Sequence, residues 1–134
     1  MLDLLKFHHI GFATDNLQET KTVFLKMGYV PGEDVSVPTQ KVKVCFMKKA
    51  GHPMVELITA EGEDSPVTTM LKKNGPGPYH FCYSTGDMKK AMDVLKSEKF
   101  ILLNKPVRSN AIDDSQIIFA YKKDFGLIEI VELP

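Results

Sequence analysis

Two stretches of the chain repeat one order of apolar and polar positions. Residues 9–17 and 80–88, at an offset of 71, each begin with a histidine and continue as an apolar run typical of a strand. Threonine and aspartate follow in both stretches, and apolar residues then recur at helical spacing. This pattern predicts helices over residues 17–27, ended by Gly28, and over residues 88–98. Internal repetition of this kind indicates two copies of one structural module.

Two further pairs of segments extend the repeat towards the end of each half. Residues 46–49 match 119–122, and residues 54–58 match 127–131, both at an offset of 73. Each half therefore follows the order strand, helix and three strands, with proline and glycine between the segments. The pattern predicts an α+β fold made of two βαβββ modules.

A short helix is expected to connect the two modules. Ser65 is a good N-cap and is followed directly by proline, so we predict a connecting helix over residues 65–75. Module one then covers residues 5–60 and module two residues 78–134. Because neither module is long enough to be stable comfortably by itself, we predict a single domain over residues 1–134.

Composition and charge restrict the partners more than the fold. Apolar residues make up 43% of the 134 residues, and 17 basic residues balance 17 acidic ones. A net charge of zero gives no general attraction to nucleic acid or to an anionic membrane, and no apolar run approaches the ~20 residues that span a bilayer. We therefore expect neither partner. Cys45 and Cys82 are too few for a disulfide framework, which favours a reduced, cytoplasmic setting.

Two glutamates lie in the middle of apolar strands, at equivalent positions of the two halves. Glu56 and Glu129 each have apolar neighbours on both sides. A carboxylate in such a place is costly unless it is paired or bound to a cation. Each half also starts with a histidine, His9 or His80, at an equivalent position in the repeat. The joint repetition favours a function for all four residues, although a lone strand histidine or edge glutamate is often structural.

Two imidazoles and two carboxylates form a donor set suited to a transition metal. If the first and last strands of each module pair, His9, Glu56, His80 and Glu129 could converge on a single ion. Nickel, cobalt, iron, manganese and zinc all accept such ligands, and four ligands leave two octahedral positions open for chemistry.

Other polar residues carry weaker predictions. Arg108 is the only arginine and is a candidate to bind a substrate carboxylate, although most single arginines are surface residues. His8 is expected to point to the opposite strand face from its neighbour, and His52 to lie exposed in a turn. The lysine pairs 48–49 and 122–123 are interpreted as solvated residues at strand ends.

The chain resembles the vicinal-oxygen-chelate superfamily, which includes glyoxalase I, methylmalonyl-CoA epimerase, extradiol dioxygenases and antibiotic-resistance proteins. The resemblance covers nearly the whole chain and is anchored in residues 9–13, 55–58, 79–82 and 126–130. It implies that the two modules form a curved, eight-stranded, partly closed barrel-like sheet with a metal cleft. It also implies metal ligands at the same four histidines and glutamates.

Apolar residues of these strands would then line the cleft. Phe46 and Phe119 share register in the repeat, as do Val44 and Ile117, and we interpret them as ordinary lining. Cys82 is expected to face the site because it lies two residues after the second histidine.

The complete ligand set is similar to that of the metal-dependent isomerases of the superfamily. It implies that the metal stabilises an enediolate while a base moves the proton, with Glu129 as the base and Glu56 able to exchange with it. We predict a glyoxalase I-type enzyme (lactoylglutathione lyase) that converts a 2-oxoaldehyde–thiol hemithioacetal into a 2-hydroxyacyl thioester. Nickel or cobalt is favoured as the divalent ion, ahead of zinc, manganese or iron.

Methylmalonyl-CoA epimerase is the alternative from the same class. Residues 55–58, 64–67 and 71–75 resemble the middle segment of the epimerase. Two features depart from it. Val44 stands where some bacterial epimerases, though not others, carry an extra glutamate, and residues 109–114 and 121–125 replace the epimerase's glycine-rich loop and His-Pro-Lys turn. Without a second base, the one-base glyoxalase transfer is chemically simpler. Alternatives from other classes are a small-molecule (drug) binding protein without catalysis and an iron-dependent oxygenase.

The expected substrate is a small thioester or hemithioacetal, carried by glutathione, another thiol or CoA. We also expect a homodimer. The sequence leaves open whether the modules pair within one chain or between two.

Overall fold

Three α-helices and nine β-strands make up the computed structural model, which describes all 134 residues. The helices are α1 (Leu17–Lys26), α2 (Pro66–Asn74) and α3 (Met88–Ser97). The strands are β1 (Lys6–Ala13), β2 (Val30–Val37), β3 (Val42–Lys48), β4 (Val55–Ala60), β5 (Gly77–Thr85), β6 (Ile101–Leu102), β7 (Val107–Ser109), β8 (Ser115–Lys122) and β9 (Gly126–Glu132). Short 3₁₀ helices cover Leu2–Leu4 and Asn110–Ile112. None of the helices has the length and apolar character that crossing a membrane requires.

The chain divides into two compact units. The first unit contains residues 9–79, and the second contains residues 1–8 together with residues 80–134. In the first unit the strands lie in the order β2-β3-β4-β1. β1 and β4 run parallel, with Ile10 opposite Val55, and the remaining pairs are antiparallel. The apolar face of α1 packs on this sheet in one buried cluster: Leu17, Phe24, Cys45, Met47, Val55 and Leu57.

The second unit repeats this arrangement with one difference in its strands. β5 and β9 run parallel, β8 pairs antiparallel with β9, and both β6 and β7 pair with β8. α3 covers one face through the buried cluster Met88, Ala91, Leu95, Phe100, Ile118, Ala120, Ile128 and Ile130. The 3₁₀ helix at Leu2–Leu4 contacts α3, and Leu4 and Leu5 pack against the same cluster. The predicted α+β class is confirmed, and the first unit has the predicted βαβββ order.

Side chains of polar residues fix where the helices begin. Asn16 accepts the backbone N–H of Glu19 at 3.1 Å before α1, and Asp87 accepts that of Lys90 at 3.0 Å before α3. Ser65 caps α2 with a proline at the first helical position, as the sequence predicts.

The second unit contributes five strands where the repeat predicts four. The expected second strand of module two is split into β6 and β7, because the chain leaves the ladder between them. There the side-chain Oδ1 of Asn104, rather than a backbone oxygen, accepts a hydrogen bond from the backbone N–H of Phe119 at 2.8 Å. Pro106, which has no N–H to donate, follows before β7 begins.

Candidate active site

The first unit buries one histidine against one glutamate. Val55 and Leu57 belong to the cluster under α1, so the alternation of strand side chains directs Glu56 to the opposite face of the sheet. Its Oε1 lies 3.1 Å from Nε2 of His9 on β1. The two residues are 5% and 0% exposed. A carboxylate and an imidazole are therefore held together out of bulk water.

The second unit contains the same arrangement. Ile128 and Ile130 face α3, so Glu129 between them points to the other face of β9. Its Oε1 lies 3.2 Å from Nε2 of His80 on β5. Glu129 is 2% exposed and His80 is 4% exposed. The two histidine–glutamate pairs thus share their strand positions, their contacting atoms and their burial.

The chemistry of these donors fits a divalent cation. Each unit offers an imidazole nitrogen and a carboxylate oxygen, which are the ligand types that first-row transition metals accept. Glu56 and Glu129 are both buried, at 5% and 2% exposure. Burial of an uncompensated carboxylate is costly, so a bound cation is a physical reason for this composition.

A phenylalanine ring stands against each imidazole. Phe46 on β3 lies directly opposite Glu56 on β4. The ring centroid of Phe46 is 5.2 Å from that of His9, at an interplanar angle of 85°. Phe119 lies opposite Glu129 on β8, with its centroid 5.6 Å from that of His80 at 89°. The interpretation as ordinary lining misses these contacts with the histidines, which the shared register of Phe46 and Phe119 in the repeat could have indicated.

Val44 and Cys82 also lie on the histidine–glutamate faces of their sheets. Val44 is 1% exposed and pairs with Ile58, two positions before Phe46. This position of β3 is therefore apolar and buried. Cys82 is a buried free cysteine opposite Glu129 in the β5–β9 ladder, so it faces the same side as His80, as expected.

Arg108 does not lie beside the second pair. It is opposite Gln116 in the β7–β8 ladder, three positions along β8 from Phe119. Since Phe119 shares its face with Glu129, alternation places Arg108 on the other face of the sheet, the one that α3 covers. Its Nη1 donates to the backbone oxygen of Asp114 at 3.0 Å, which ties down the loop before β8.

The interpretation of both lysine pairs as solvated residues is wrong for one member of each. Lys49 donates to the backbone oxygen of Met27 at 2.8 Å, at the end of α1. Lys122 donates to that of Glu98 at 2.6 Å, at the end of α3. Cations stabilise these helix ends, where carbonyl groups lack partners within the helix.

Two groups outside the pairs have shifted pKa values. The hydrogen bond from Lys21, 2.6 Å from Asp34, holds the pKa of that carboxyl below its usual 3.8. Burial raises the pKa of the Cys45 thiol, which packs in the cluster under α1. His52 is exposed in a turn, as predicted, and pairs through Nδ1 with the oxygen of Ala50 at 3.0 Å.

The chain belongs to the glyoxalase/bleomycin resistance protein/dioxygenase superfamily, because the model of that family matches residues 8–119. Mitochondrial methylmalonyl-CoA epimerase of Bos taurus is 29% identical over 133 residues, which cover 98% of this chain and 74% of the relative. The crystal structure of methylmalonyl-CoA epimerase from Mycobacterium tuberculosis superposes with a TM-score of 0.85 at 23% identity, covering 96% of this chain and 88% of that one. Another methylmalonyl-CoA epimerase, in complex with methylmalonyl-CoA and NH4+, is 25% identical with a TM-score of 0.77, covering 96% and 94% of the two chains.

These relatives contradict the predicted glyoxalase I reaction. They are epimerases of a CoA thioester, and neither the hemithioacetal substrate nor the preference for nickel gains support from them. The preference for glyoxalase rested on the absence of a glutamate at Val44 and on the different residues at 109–114 and 121–125. Glu56 and Glu129 still provide two buried carboxylates, so that absence does not decide between the two reactions.

Proposed function

We propose that this protein is a methylmalonyl-CoA epimerase. Such an enzyme inverts the carbon that lies between a thioester carbonyl and a carboxylate. The observation that carries the proposal is the buried histidine–glutamate pair that each unit presents in the same form, at 3.1 Å and 3.2 Å. The similarity to epimerases over nearly the whole chain supports the choice of substrate.

In this proposal, His9, Glu56, His80 and Glu129 together hold one divalent ion. When bound, the ion supplies positive charge next to the thioester oxygen, where negative charge develops as the proton leaves. Before an ion binds, each histidine keeps its carboxylate oriented through the Nε2 contact. A carboxylate beside a dication loses basicity, so a glutamate that accepts a proton must at least partly leave the ion.

The two glutamates carry the proton transfer. Glu129 removes the proton from the α-carbon, and the electron pair of the broken C–H bond moves towards the thioester oxygen. Glu56, in its protonated form, returns a proton to the opposite face of the same carbon, and exchange with solvent resets both carboxyl groups. Inversion requires an acid or base on each face, and the repeat supplies one carboxyl group from each half.

Apolar neighbours favour this chemistry by limiting water near the carboxyl groups. Val44 is buried beside the half-buried Phe46 on β3, and the equivalent positions on β8 are Ile117 and Phe119. Charge interactions strengthen where water is excluded. Arg108 has no part in this mechanism because its side chain lies on the face that α3 covers.

The experiment is α-proton exchange with methylmalonyl-CoA of a single configuration in deuterated water. We expect deuterium at the α-carbon and conversion to the other epimer, both lost after chelation of metal ions. Removal of a general acid or base typically costs about 10²–10⁴-fold, so Glu129→Gln and Glu56→Gln should each lower epimerisation by that amount. Glu132→Gln, also on β9, is the matched control.

Proton exchange without inversion distinguishes a mechanism with two catalytic bases from a mechanism with one. With two bases, and with enough divalent ion added to saturate the weakened site, each single variant should still exchange the proton of one epimer while failing to invert it. Turnover of the methylglyoxal–glutathione hemithioacetal without exchange on methylmalonyl-CoA would contradict the proposal. Tight substrate binding without exchange would indicate the non-catalytic binding protein instead.

The predicted homodimer is a separate question, and light scattering on the same samples measures the mass in solution.

A further inference from the structure

We propose that Phe46 and Phe119 are positioning residues that fix the ring planes of His9 and His80. Each aromatic ring keeps one imidazole turned so that its Nε2 stays directed at the neighbouring glutamate. The functional consequence rests on the proposed metal site, whereas the ring contacts stand independently of it.

The same contact occurs twice, once inside each unit. Both are edge-to-face contacts, at centroid distances of 5.2 Å and 5.6 Å and interplanar angles of 85° and 89°. Edge-to-face packing is a favoured aromatic geometry. Phe46 and Phe119 also occupy equivalent repeat positions, so one spatial relation to the histidine recurs in both halves.

The strand ladder explains why the ring reaches both members of a pair. Phe46 is the cross-strand partner of Glu56, and Phe119 is that of Glu129. Directly opposed side chains have Cβ atoms about 4.5–5.5 Å apart, so each phenylalanine stands beside the carboxylate and against the imidazole. The rings are half-buried, while the pairs beneath them are almost fully buried. Each ring therefore covers its histidine–glutamate pair on the more accessible side.

An external restraint on the imidazole plane matters because the terminal torsion of histidine has only a weak preference of its own. The terminal torsion of histidine is broad and roughly two-fold, so the imidazole can turn over and exchange the places of Nδ1 and Nε2. An aromatic ring held perpendicular to the imidazole restricts that rotation. Ligand groups support binding best when their orientation is fixed by packing before the ligand arrives.

The test begins with the ion-free protein, using ¹⁵N NMR of the histidine side chains. Phe46→Leu should broaden or shift the ring resonances of His9 and leave those of His80 unchanged, and Phe119→Leu should do the reverse. Phe12→Leu is the matched control, since Phe12 makes an equivalent edge-to-face contact with Phe24, at 5.5 Å and 89°, without touching either histidine. Phe46→Tyr should restore the His9 signals.

The second measurement is Co²⁺ affinity by competition with a fluorescent chelator. Loss of groups that orient metal ligands typically costs about 10–100-fold in affinity, and we expect that loss for Phe46→Leu and Phe119→Leu but not for Phe12→Leu or Phe46→Tyr. If a leucine variant fails to fold, methionine at the same position keeps the packing volume and replaces it.

The two measurements fail in different ways. If the wild-type protein binds no divalent ion, the proposed function fails, while the NMR measurement still tests the ring contacts. Unchanged histidine resonances in both leucine variants would overturn the positioning role. So would equal changes at both histidines, or in Phe12→Leu as well, since these indicate a general loss of packing.

Discussion

Replacing Glu129 by glutamine separates the stability of the folded chain from the stability that a bound ion adds. Glutamine keeps the shape of the side chain and its ability to hydrogen-bond His80, but it removes a negative charge from a position that is 2% exposed. A neutral amide is less costly to bury than a carboxylate, which offsets the weaker contact with the imidazole. We therefore expect the unfolding free energy of the ion-free variant to stay within about 1 kcal/mol of wild type.

The effect of the ion is much larger. An ion present at 100 times its dissociation constant stabilises the folded state by about 2.7 kcal/mol. With an unfolding entropy of about 2.1 cal/mol/K per residue, the 134 residues have about 0.28 kcal/mol/K, so Tm should rise by about 10 °C. If loss of one carboxylate weakens binding about 100-fold, the same ion concentration adds only about 0.4 kcal/mol, or about 1.5 °C.

The assay is thermal unfolding followed by circular dichroism, with and without a chelator, in a series of Co²⁺ concentrations. Glu132→Gln is the control, because this residue lies on β9 and its carboxylate accepts the backbone N–H of Met88 rather than contacting His80. The control should keep the full ion-dependent shift, whatever its basal stability. An equal shift in Glu129→Gln and wild type would refute the assignment of Glu129 as a ligand.

Three further predictions concern the scaffold. Lys122→Met should lower the unfolding free energy by about 0.3–1 kcal/mol in urea denaturation, because the last carbonyls of α3 lose their cation. Lys123→Met is the control. An equal loss of stability in both variants would contradict the role of Lys122 at the end of α3. Asp34→Asn should cost less than about 1 kcal/mol at pH 7, since its partner Lys21 forms a surface pair. The hydrogen bond from Lys21 lowers the pKa of Asp34, so the stabilisation is present above pH 3.8 and disappears as the pH falls through the lower pKa of the folded state. Urea denaturation of wild type and Asp34→Asn at several pH values measures this. A stability difference between the two proteins that persists in acid would contradict the role of the ion pair. Leu57→Ala should cost about 2–5 kcal/mol in guanidinium denaturation because the residue is 0% exposed, and a cost near zero would contradict its place in the core.

Features with a local cause could be predicted from the sequence. The N-cap of α2 depends on Ser65 and the proline after it, so the connecting helix is found where the sequence places it. Glu56 and Glu129 are recognisable because a charge inside an apolar run must be compensated. The repeat then links each glutamate to a histidine, and the structure pairs them within each unit.

Features that depend on distant parts of the chain could not be predicted. Lys49 and Lys122 reach helix ends more than twenty residues away, which no spacing rule indicates. The face on which Arg108 lies follows from the register of β7 against β8, and this short strand is itself a product of the interruption at Asn104. The predicted reaction was wrong for a similar reason: two histidines and two glutamates suit the chemistry of either isomerase, so their pattern alone does not select the substrate.

The membership of residues 1–8 in the second unit has a consequence for folding during synthesis. Leu4 and Leu5 are synthesised about 83 residues before α3 begins at Met88, and α3 supplies part of the cluster that they complete. Residues 9–79 have their own contacts available much earlier. Since closing a contact over a long sequence separation is slow, vectorial synthesis should produce an early folding intermediate in which the first unit is formed and the leading eight residues still wait for their partners.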